Sequence, residues 1–451
     1  MDNLGGVGMK DVFGEYERSF AASGEPIAVN FRELVPELRS KERYTHLIHS
    51  YPAKLLCNIP YYFLKTEYFC PRDGIVLDPF CGTGTVLLEA VLSGREALGA
   101  DANPLAVLIS EVKTTYIAKE VLLETLSTII KRAERCREVY VVDSLIKGWF
   151  SDSTINQLGH LQHAIEKVKN NSQRKFLLLC LSNLVRKVSY ADSTISVPVH
   201  LNPFRFAKGS DRRAAASFKL ETLKAVDVYD KYENICRLNI ERVASLEPFK
   251  GSLKSKVISN DARRLTRTLM SDELIKDESI DLILTSPPYA GAQKYIRASR
   301  LNLYWLGEKD SEAIRILNEQ TIGREDFHKK DYSQKIETGI DAADTILRKL
   351  YSEGKYERAC IVGTYLNEMK KALDESYRVL KIGGYIILVI GNNKVCGLSF
   401  DTQDYLTTYL QQKGMKLKFK LIDDIKSYGM MTKRNKTADK ISSEWILVLQ
   451  K

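Results

Sequence analysis

Two short motifs contain the residue types best suited to chemistry, and the first is a Pro-Pro turn. Residues 285–289 read Thr-Ser-Pro-Pro-Tyr and follow the apolar run 280–284, which predicts a buried strand. Each proline lacks a backbone donor, so the strand must end there in a stiff turn. The turn offers a hydroxyl, carbonyls and an aromatic face, which together can hold a flat polar ring bearing an amino group. The catalytic candidates are therefore Ser286, Pro287, Pro288 and Tyr289.

The second motif is a glycine turn at residues 78–85, Asp-Pro-Phe-Cys-Gly-Thr-Gly-Thr, between a predicted strand and a predicted helix. Gly82 and Gly84 begin a dinucleotide fingerprint, but Leu87 occupies the place of its third glycine. Asp78 would repel a pyrophosphate and attract an ammonium or sulfonium group. S-adenosylmethionine carries both of these cations and no phosphate, so it fits the motif better than a dinucleotide.

Two further acids follow predicted strands. Asp101 lies 23 residues after Asp78, where a carboxylate can accept hydrogen bonds from both ribose hydroxyls. Asp261 lies at a third strand end and could accept a hydrogen bond from an adenine amino group. A single acid at a strand end is more often solvated. Three at successive strand ends, with the glycine turn, indicate one ligand site.

Together these segments resemble the amino-methylating DNA methyltransferases, the N4-cytosine and N6-adenine group. Residues 99–104 and 260–263 resemble the ribose-side and adenine-side segments of that family, and residues 49–54 resemble the segment that lines the methionine end. The resemblance implies an α/β fold with a Rossmann-like sheet that binds S-adenosylmethionine as cofactor. The cofactor-binding candidates are Tyr51, Pro52, Asp78, Phe80, Gly82, Gly84, Thr85, Asp101, Asn103, Asp261 and Thr285.

The resemblance also implies a mechanism. The exocyclic amino group of a base is a poor nucleophile because its lone pair is delocalised into the ring. Hydrogen bonds from its two protons to the Ser286 hydroxyl and the Pro287 carbonyl would favour a pyramidal nitrogen, and Tyr289 would stack on the base. The base must first leave the duplex. Family members with Asp in place of Ser286 mostly methylate adenine, so the serine favours cytosine N4, with adenine N6 as the alternative.

Two other functions compete with DNA methylation. RNA methyltransferases acting on amino groups use a similar turn, but they usually carry an N-terminal RNA-binding domain, and only about 42 residues precede the catalytic part here. A non-catalytic nucleic-acid-binding protein with a relict cofactor pocket would not need intact Asp78, Gly82, Gly84, Ser286 and Tyr289. A DNA methyltransferase is therefore preferred.

Composition is consistent with a globular protein that binds a polyanion. The 451 residues include 67 Lys and Arg against 57 Asp and Glu, a net charge of +10. The eight cysteines show no CxxC pair and no histidine at ligand spacing, so no metal site or disulfide framework is expected. No signal peptide or membrane-spanning run is evident, which predicts a cytoplasmic protein.

Four segments follow from these patterns. Residues 1–42 have no clear period and are expected to form an irregular N-terminal arm, and 43–115 form the cofactor-binding part. Residues 116–249 are predicted to be a helical insertion with 21 basic against 15 acidic residues. Residues 250–451 complete the catalytic part and end in antiparallel strands.

The insertion is the first candidate for recognition of double-stranded DNA, and residues 306–354 are the second. The family resemblance also allows for a separate restriction endonuclease as a partner. The DNA-binding candidates are Arg205, Lys208, Arg212 and Arg213.

Overall fold

The computed structural model describes residues 6–38, 43–51, 54–291, 295–424 and 443–451. It contains ten strands, which are β1 (Ile27–Val29), β2 (Ile75–Asp78), β3 (Glu96–Ala100), β4 (Ser255–Ser259), β5 (Ile280–Thr285), β6 (Leu380–Ile390), β7 (Asn393–Val395), β8 (Leu398–Phe400), β9 (Lys416–Asp424) and β10 (Ser443–Gln450). Eight of them form one sheet, and β7 and β8 form a separate hairpin.

The described residues also form fifteen α-helices. They are α1 (Gly6–Ser23), α2 (Phe31–Leu34), α3 (Asn58–Leu64), α4 (Thr85–Leu92), α5 (Pro104–Lys113), α6 (Lys119–Arg135), α7 (Asp152–Glu166), α8 (Asn171–Val188), α9 (Asp211–Lys224), α10 (Val228–Ala244), α11 (Tyr295–Trp305), α12 (Ser311–Gln320), α13 (Asp341–Ser352), α14 (Tyr356–Val379) and α15 (Thr402–Gln412). Among the described residues, none of these helices is both long and apolar enough to cross a membrane.

The sheet has the order β1-β9-β10-β6-β5-β2-β3-β4, and only β10 runs against the others. Along the chain, β3 and then β4 are added on one side of β2. The chain then crosses over, and β5 and β6 are added on the other side of β2. The reversal lies between β2 and β5, and ligands in open α/β sheets bind at the carboxyl edge of such a switch point. The predicted Rossmann-like methyltransferase sheet is confirmed, as are the antiparallel strands near the C-terminus.

Both faces of the central strands are buried. In β5, Leu282 and Leu284 belong to one hydrophobic cluster, whereas Ile283 belongs to the cluster on the opposite face. Burial on both faces explains why this strand is a continuous apolar run rather than an alternating one. The strand is therefore held firmly from both sides, and its carboxyl end presents the Pro-Pro turn at a fixed position.

The insertion is helical, as predicted, with α6 to α10 lying between α5 and β4. Its core is continuous with the catalytic part, because Leu181 of α8 shares a hydrophobic cluster with Ile109 of α5 and Leu301 of α11. The Asn302 amide also donates to both the backbone carbonyl and the hydroxyl of Ser182. The insertion is thus packed directly onto the helix that follows the Pro-Pro turn.

The structure differs from the sequence prediction at the N-terminus. The first 42 residues, expected to be irregular, contain α1 and β1. Phe13 of α1 is buried among Tyr62, Phe63 and Phe69, while β1 pairs with β9 at Ile27 and Leu421. A three-residue strand is too short to show a period, and its partner lies at the far end of the chain, so no local signal predicts it.

Candidate active site

A cavity opens at the carboxyl edge of β2, β3, β4 and β5, where ligands bind in open α/β sheets. Four different strand ends supply its wall, so the sheet topology alone brings distant parts of the sequence together. The lining residues are Tyr51, Pro79, Phe80, Gly82, Asp101, Ala102, Asn103, Asn260, Asp261, Ala262, Ser286, Pro288, Tyr295, Gln320, Thr321 and Ile322.

The glycine turn needs both of its glycines. Gly84 caps the amino end of α4 with a φ of 68°, and a Cβ there would lie 2.9 Å from the Ser110 Cα on α5. Gly82 has a φ of 49°, and its backbone N–H donates to the Asp101 carboxylate over 2.9 Å. A positive φ favours glycine at both positions. The turn is therefore shaped by close packing on α5 and by a direct hydrogen bond to the next strand end.

In the described part of the chain, Asp101 is one of the two acids that line the cavity. One carboxylate oxygen accepts from the Gly82 N–H and the other from the Asn103 N–H over 2.8 Å. Burial raises the pKa of Asp101 to about 6, although these two hydrogen bonds oppose the rise. Each carboxylate oxygen has a second lone pair, so the group can still accept hydrogen bonds from a ligand. Paired hydroxyls on a ribose match this arrangement.

Tyr51 and Asn103 form the wall beside Asp101. The Asn103 amide donates to the Tyr51 hydroxyl over 2.9 Å and to the Ser299 hydroxyl over 3.3 Å, while its side-chain oxygen caps α5. Burial, followed by the nearby Asp101 charge, raises the pKa of Tyr51 well above its usual range, so its hydroxyl keeps its proton. Pro52, the neighbouring cofactor candidate, lies outside the described residues.

Asp78 joins the two sequence motifs beneath the cavity. Its carboxylate accepts a 2.5 Å hydrogen bond from the Thr285 hydroxyl and another from the Phe80 N–H. Neither Asp78 nor Thr285 lines the cavity, and both side chains are buried. Burial raises the pKa of Asp78 to about 7, against the effect of these hydrogen bonds. In this arrangement the carboxylate fixes the Pro-Pro turn relative to the glycine turn.

Replacing Asp78 with Asn is expected to stabilise the cofactor-free protein by on the order of 2 kcal/mol at pH 8. The folded pKa of about 7 lies above the usual value of 3.8, so burial destabilises the ionised form. The contribution of protonated Asp78 to the free energy of unfolding is fully present below about pH 4. It is lost as the pH rises through about 7. The gain in Asp78→Asn should therefore be largest above pH 7 and shrink at pH 5. Urea unfolding at the two pH values measures it.

The matched control for that comparison is Thr285→Val. This change removes a hydrogen bond to the carboxylate, so it should lower stability at pH 8, where Asp78 is ionised. A gain in Asp78→Asn that is larger at pH 5 than at pH 8 would contradict the sign of the pKa shift.

The Pro-Pro turn presents Ser286 and Pro288 to the cavity, whereas Pro287 and Tyr289 are buried. The Tyr289 hydroxyl donates to the Glu444 carboxylate on β10 over 3.1 Å. Burial, followed by the Glu444 charge, raises the pKa of Tyr289 well above its usual range, while a hydrogen bond with Ser286 lowers it in part. Tyr289 therefore stays neutral, and its hydrogen bond to Glu444 ties the turn to β10. Its predicted stacking on a base stays a prediction.

The segment that follows α12 packs against the same turn. A Cβ on Gly323 would lie 3.1 Å from the Tyr289 carbonyl oxygen, and the φ of 83° at this glycine favours a residue without a side chain. The three residues before it, Gln320 to Ile322, line the cavity. This part of 306–354, which was the second candidate for DNA recognition, thus forms a wall of the cavity.

Asp261 also lines the cavity, but much of its hydrogen-bonding capacity is already used. Its carboxylate accepts from the Arg263 Nε over 2.8 Å, and Arg263 in turn donates to the Gln320 carbonyl over 3.0 Å. Arg263 thus connects the end of β4 to the wall formed by 320–322. The predicted contact between Asp261 and an adenine amino group stays a prediction.

The structure brings eight of the predicted site residues to one cavity, namely Tyr51, Phe80, Gly82, Asp101, Asn103, Asp261, Ser286 and Pro288. Four others lie behind its wall, namely Asp78, Thr285, Pro287 and Tyr289, while Gly84 and Thr85 begin α4. Arg205, Lys208, Arg212 and Arg213 lie on α9 and the turn before it, outside the cavity. Sequence reasoning missed Tyr295, the 320–322 wall and Glu444, none of which lies in a motif.

A parallel sheet with one reversed strand, a glycine turn and an acid at the next strand end define the Rossmann-like methyltransferase class. The family model for N6/N4 DNA methylases matches residues 29–112 and 280–451, which is more than half of the chain. The chain belongs to the N6/N4 DNA methylase family. The two matched blocks flank the helical insertion. The family model therefore covers most of the cavity lining, but it leaves the basic helices α6 to α10 and the lining residues 260–262 after β4 unmatched.

Three curated relatives agree with this assignment. Type II methyltransferase M.MvaI from Kocuria varians is 24% identical over 90% of this chain and 91% of its own length. Type II methyltransferase M.BsoBI from Geobacillus stearothermophilus is 23% identical, covering 77% of this chain and 74% of the relative. Type II methyltransferase M.MjaII from Methanocaldococcus jannaschii is 26% identical, covering 57% and 62%.

The family's methyl donor is S-adenosylmethionine, and the cavity fits it chemically. Asp101 has lone pairs left for ribose hydroxyls, and the partly exposed Phe80 ring lies on the same wall. Described residues of the lining include acids but no lysine or arginine, so the cavity suits a ligand without phosphate.

Proposed function

We propose that this protein is a site-specific type II DNA methyltransferase that modifies the exocyclic amino group of a flipped base, with cytosine N4 as the favoured target. One observation supports this most directly: Ser286 and Pro288 line the same cavity as Asp101. The group that would orient the amino nitrogen and the group that would hold the cofactor ribose therefore share one space. The relatives named as type II methyltransferases favour the same function, with any restriction endonuclease on a separate chain.

The chemistry assigned to the chain is mainly positioning. S-adenosylmethionine supplies an electrophilic methyl group bonded to a sulfonium sulfur. The Ser286 hydroxyl and the Pro287 carbonyl would accept hydrogen bonds from the two amino protons of the base, which directs the nitrogen lone pair away from the ring. Tyr289, held by Glu444, anchors the turn to β10. Orientation of this kind can account for a large part of the rate without a strong base.

Serine at position 286 is the residue on which the cytosine assignment depends. A carboxylate at this position would accept from an amino group more strongly than a hydroxyl, and adenine-methylating members of the family mostly have Asp there. The neutral hydroxyl of Ser286 therefore favours cytosine N4, and adenine N6 remains the competing target.

The decisive experiment combines the purified protein with labelled S-adenosylmethionine and unmodified double-stranded DNA, followed by nucleoside analysis. The expected product is N4-methylcytosine at a defined sequence. N6-methyladenine would overturn the cytosine assignment alone. Transfer to RNA and not to DNA, or no transfer at all, would overturn the proposed function.

The insertion is proposed to hold the DNA backbone through the basic residues before and within α9. Replacing Arg205, Lys208, Arg212 and Arg213 together by Gln should weaken DNA binding and flatten its salt dependence. Each lost phosphate contact lowers the slope of log K against log salt concentration by about 0.9. A fall of about 2 to 4 in the slope is expected from fluorescence anisotropy with a labelled duplex.

The control is a variant with Lys254→Gln and Lys276→Gln. Both lysines are exposed and lie just before β4 and β5, at the edge of the sheet opposite the cavity. Their removal should leave the salt slope nearly unchanged. An unchanged slope in the four-residue variant would move the DNA-binding surface away from α9.

A further inference from the structure

Helix α9 has an unusually exposed outer surface. Of its fourteen residues, only Ala216 and Leu223 are buried. Residues 214, 215, 218 and 222 lie on one side of a helix by their spacing, and all four are exposed. We refer to Ala214, Ala215, Phe218 and Thr222 as the α9 face. The α9 face thus consists of three small side chains and one aromatic ring. Such a surface is unexpected on a helix that faces only water.

Basic side chains border this face on both sides. By the same helical spacing, Arg212 and Lys219 lie towards one edge and Arg213 and Lys224 towards the other. The exposed acids Asp211 and Glu221 lie beside them, and Glu221 pairs with Lys224 over 2.7 Å, so Arg212 and Arg213 are the main cations at the border. Phe218 is 76% exposed, and Phe204, in the turn before α9, is 77% exposed with the Arg213 guanidinium 4.7 Å above its ring. The combination of an apolar centre and cationic borders is complementary to a nucleic-acid groove, whose base edges lie between two rows of phosphates.

A chain of contacts connects α9 to the cavity. The Lys219 ammonium donates to the Ser193 hydroxyl over 2.9 Å, at the start of the 193–200 loop. At the other end of this loop the His200 ring stacks on Trp149 with ring centroids 3.9 Å apart, and the Arg300 guanidinium lies 4.7 Å from the Trp149 ring. Arg300 belongs to α11, about 8 Å along the helix axis from the cavity residue Tyr295.

We propose that α9 enters the major groove of duplex DNA beside the flipped base and that Phe218 contacts base edges there, so that this helix reads sequence. The inference rests on the proposed function and extends it to the element that selects the site. A helix with side chains is about 10–12 Å wide, and the major groove is about 12 Å wide. Phenylalanine recognises the thymine methyl group by apolar contact, while the bordering basic residues hold phosphates.

Phe218 is proposed to contact bases and the arginines to contact phosphates, so their replacements should have different effects on binding. Removing a phosphate contact weakens binding to all sequences and reduces the salt slope, whereas removing a base contact relaxes specificity at one position. Phe218→Ala should therefore lower the ratio of kcat/KM for the recognition sequence over a single-base-pair variant by about tenfold, with an unchanged salt slope.

The test begins with wild-type protein, S-adenosylmethionine and unmodified genomic DNA, from which sequencing of the methylated positions gives the recognition sequence. Wild type, Phe218→Ala and Ile382→Ala are then compared on the cognate duplex and on duplexes with one changed base pair. Ile382 is the control because it is 77% exposed and lies near the amino end of β6, away from the cavity. Its replacement should leave discrimination within about twofold of wild type.

The outcomes separate the two proposals. Unchanged site preference in Phe218→Ala, with normal wild-type methylation, would overturn the role of α9 and leave the proposed function intact. A change in oligomeric state without any change in discrimination would likewise overturn it, because the face would then bind protein. Failure of the wild-type protein to methylate DNA would overturn the proposed function and the role of α9 together.

Discussion

Alanine in place of Ser286 is expected to lower kcat for methyl transfer to DNA by about a hundredfold or more. The Kd for S-adenosylmethionine should stay within about threefold of wild type, because Asp101 and Tyr51, which are proposed to hold the ribose, are unchanged. Ser286 lines the cavity from the turn and is proposed to act on the base alone. Single-turnover methylation with a cognate duplex, together with calorimetric titration of S-adenosylmethionine, measures the two quantities.

The matched variant is Ser286→Thr, which keeps a hydroxyl at the same position. Ser286→Thr should recover much of the rate that Ser286→Ala loses. If alanine acted by disturbing the turn, restoring a hydroxyl would not restore the rate. The Asp78 carboxylate fixes the preceding residue, Thr285, from below, so neither substitution should move the turn. Nearly full activity in Ser286→Ala would contradict the role of this residue in orienting the amino group.

The glycine turn and the strand ends could be predicted because their signals are local. Gly84 must adopt a positive φ and pack against α5, and β2 and β5 are short apolar runs buried on both faces. Their order in the sheet then brings the ends of four strands to one edge. Motif chemistry alone is therefore enough to predict that the glycine turn, Asp101 and the Pro-Pro turn meet at one cavity.

The parts that could not be predicted depend on contacts between distant segments. Glu444 accepts a hydrogen bond from Tyr289 because the reversed strand β10 lies beside β6. Arg263, which follows β4, donates to the carbonyl of the cavity residue Gln320. Gly383 shows the same limit at shorter range. It lies inside β6 with a φ of 79°, where the pairing with β5 shifts register, and no motif in the sequence marks this irregularity.

The largest effect on cofactor binding is expected at Asp101. Replacing it with Ala should raise the Kd for S-adenosylmethionine by about a hundredfold, because each hydrogen bond to a charged group contributes about 1.5–3 kcal/mol and the Gly82 N–H also loses its acceptor. Calorimetric titration in the absence of DNA measures the change. Asp101→Asn keeps the shape of the side chain but not its charge. Its Kd for S-adenosylmethionine should lie between those of Asp101→Ala and the wild type.

The ionisation of Asp101 also predicts how the binding of S-adenosylmethionine should depend on pH. The ionised Asp101 carboxylate is the proposed acceptor for the ribose hydroxyls, and burial raises the pKa of Asp101 in the free protein to about 6. Binding should therefore be strongest above pH 7 and weaken as the pH falls through about 6, approaching tenfold per pH unit below it. Asp78 also titrates in this range, with a pKa of about 7, so the measurement is best made in the Asp78→Asn background. Binding that is constant from pH 7.5 to 5 in that background would show that Asp101 does not hold the ribose as a carboxylate.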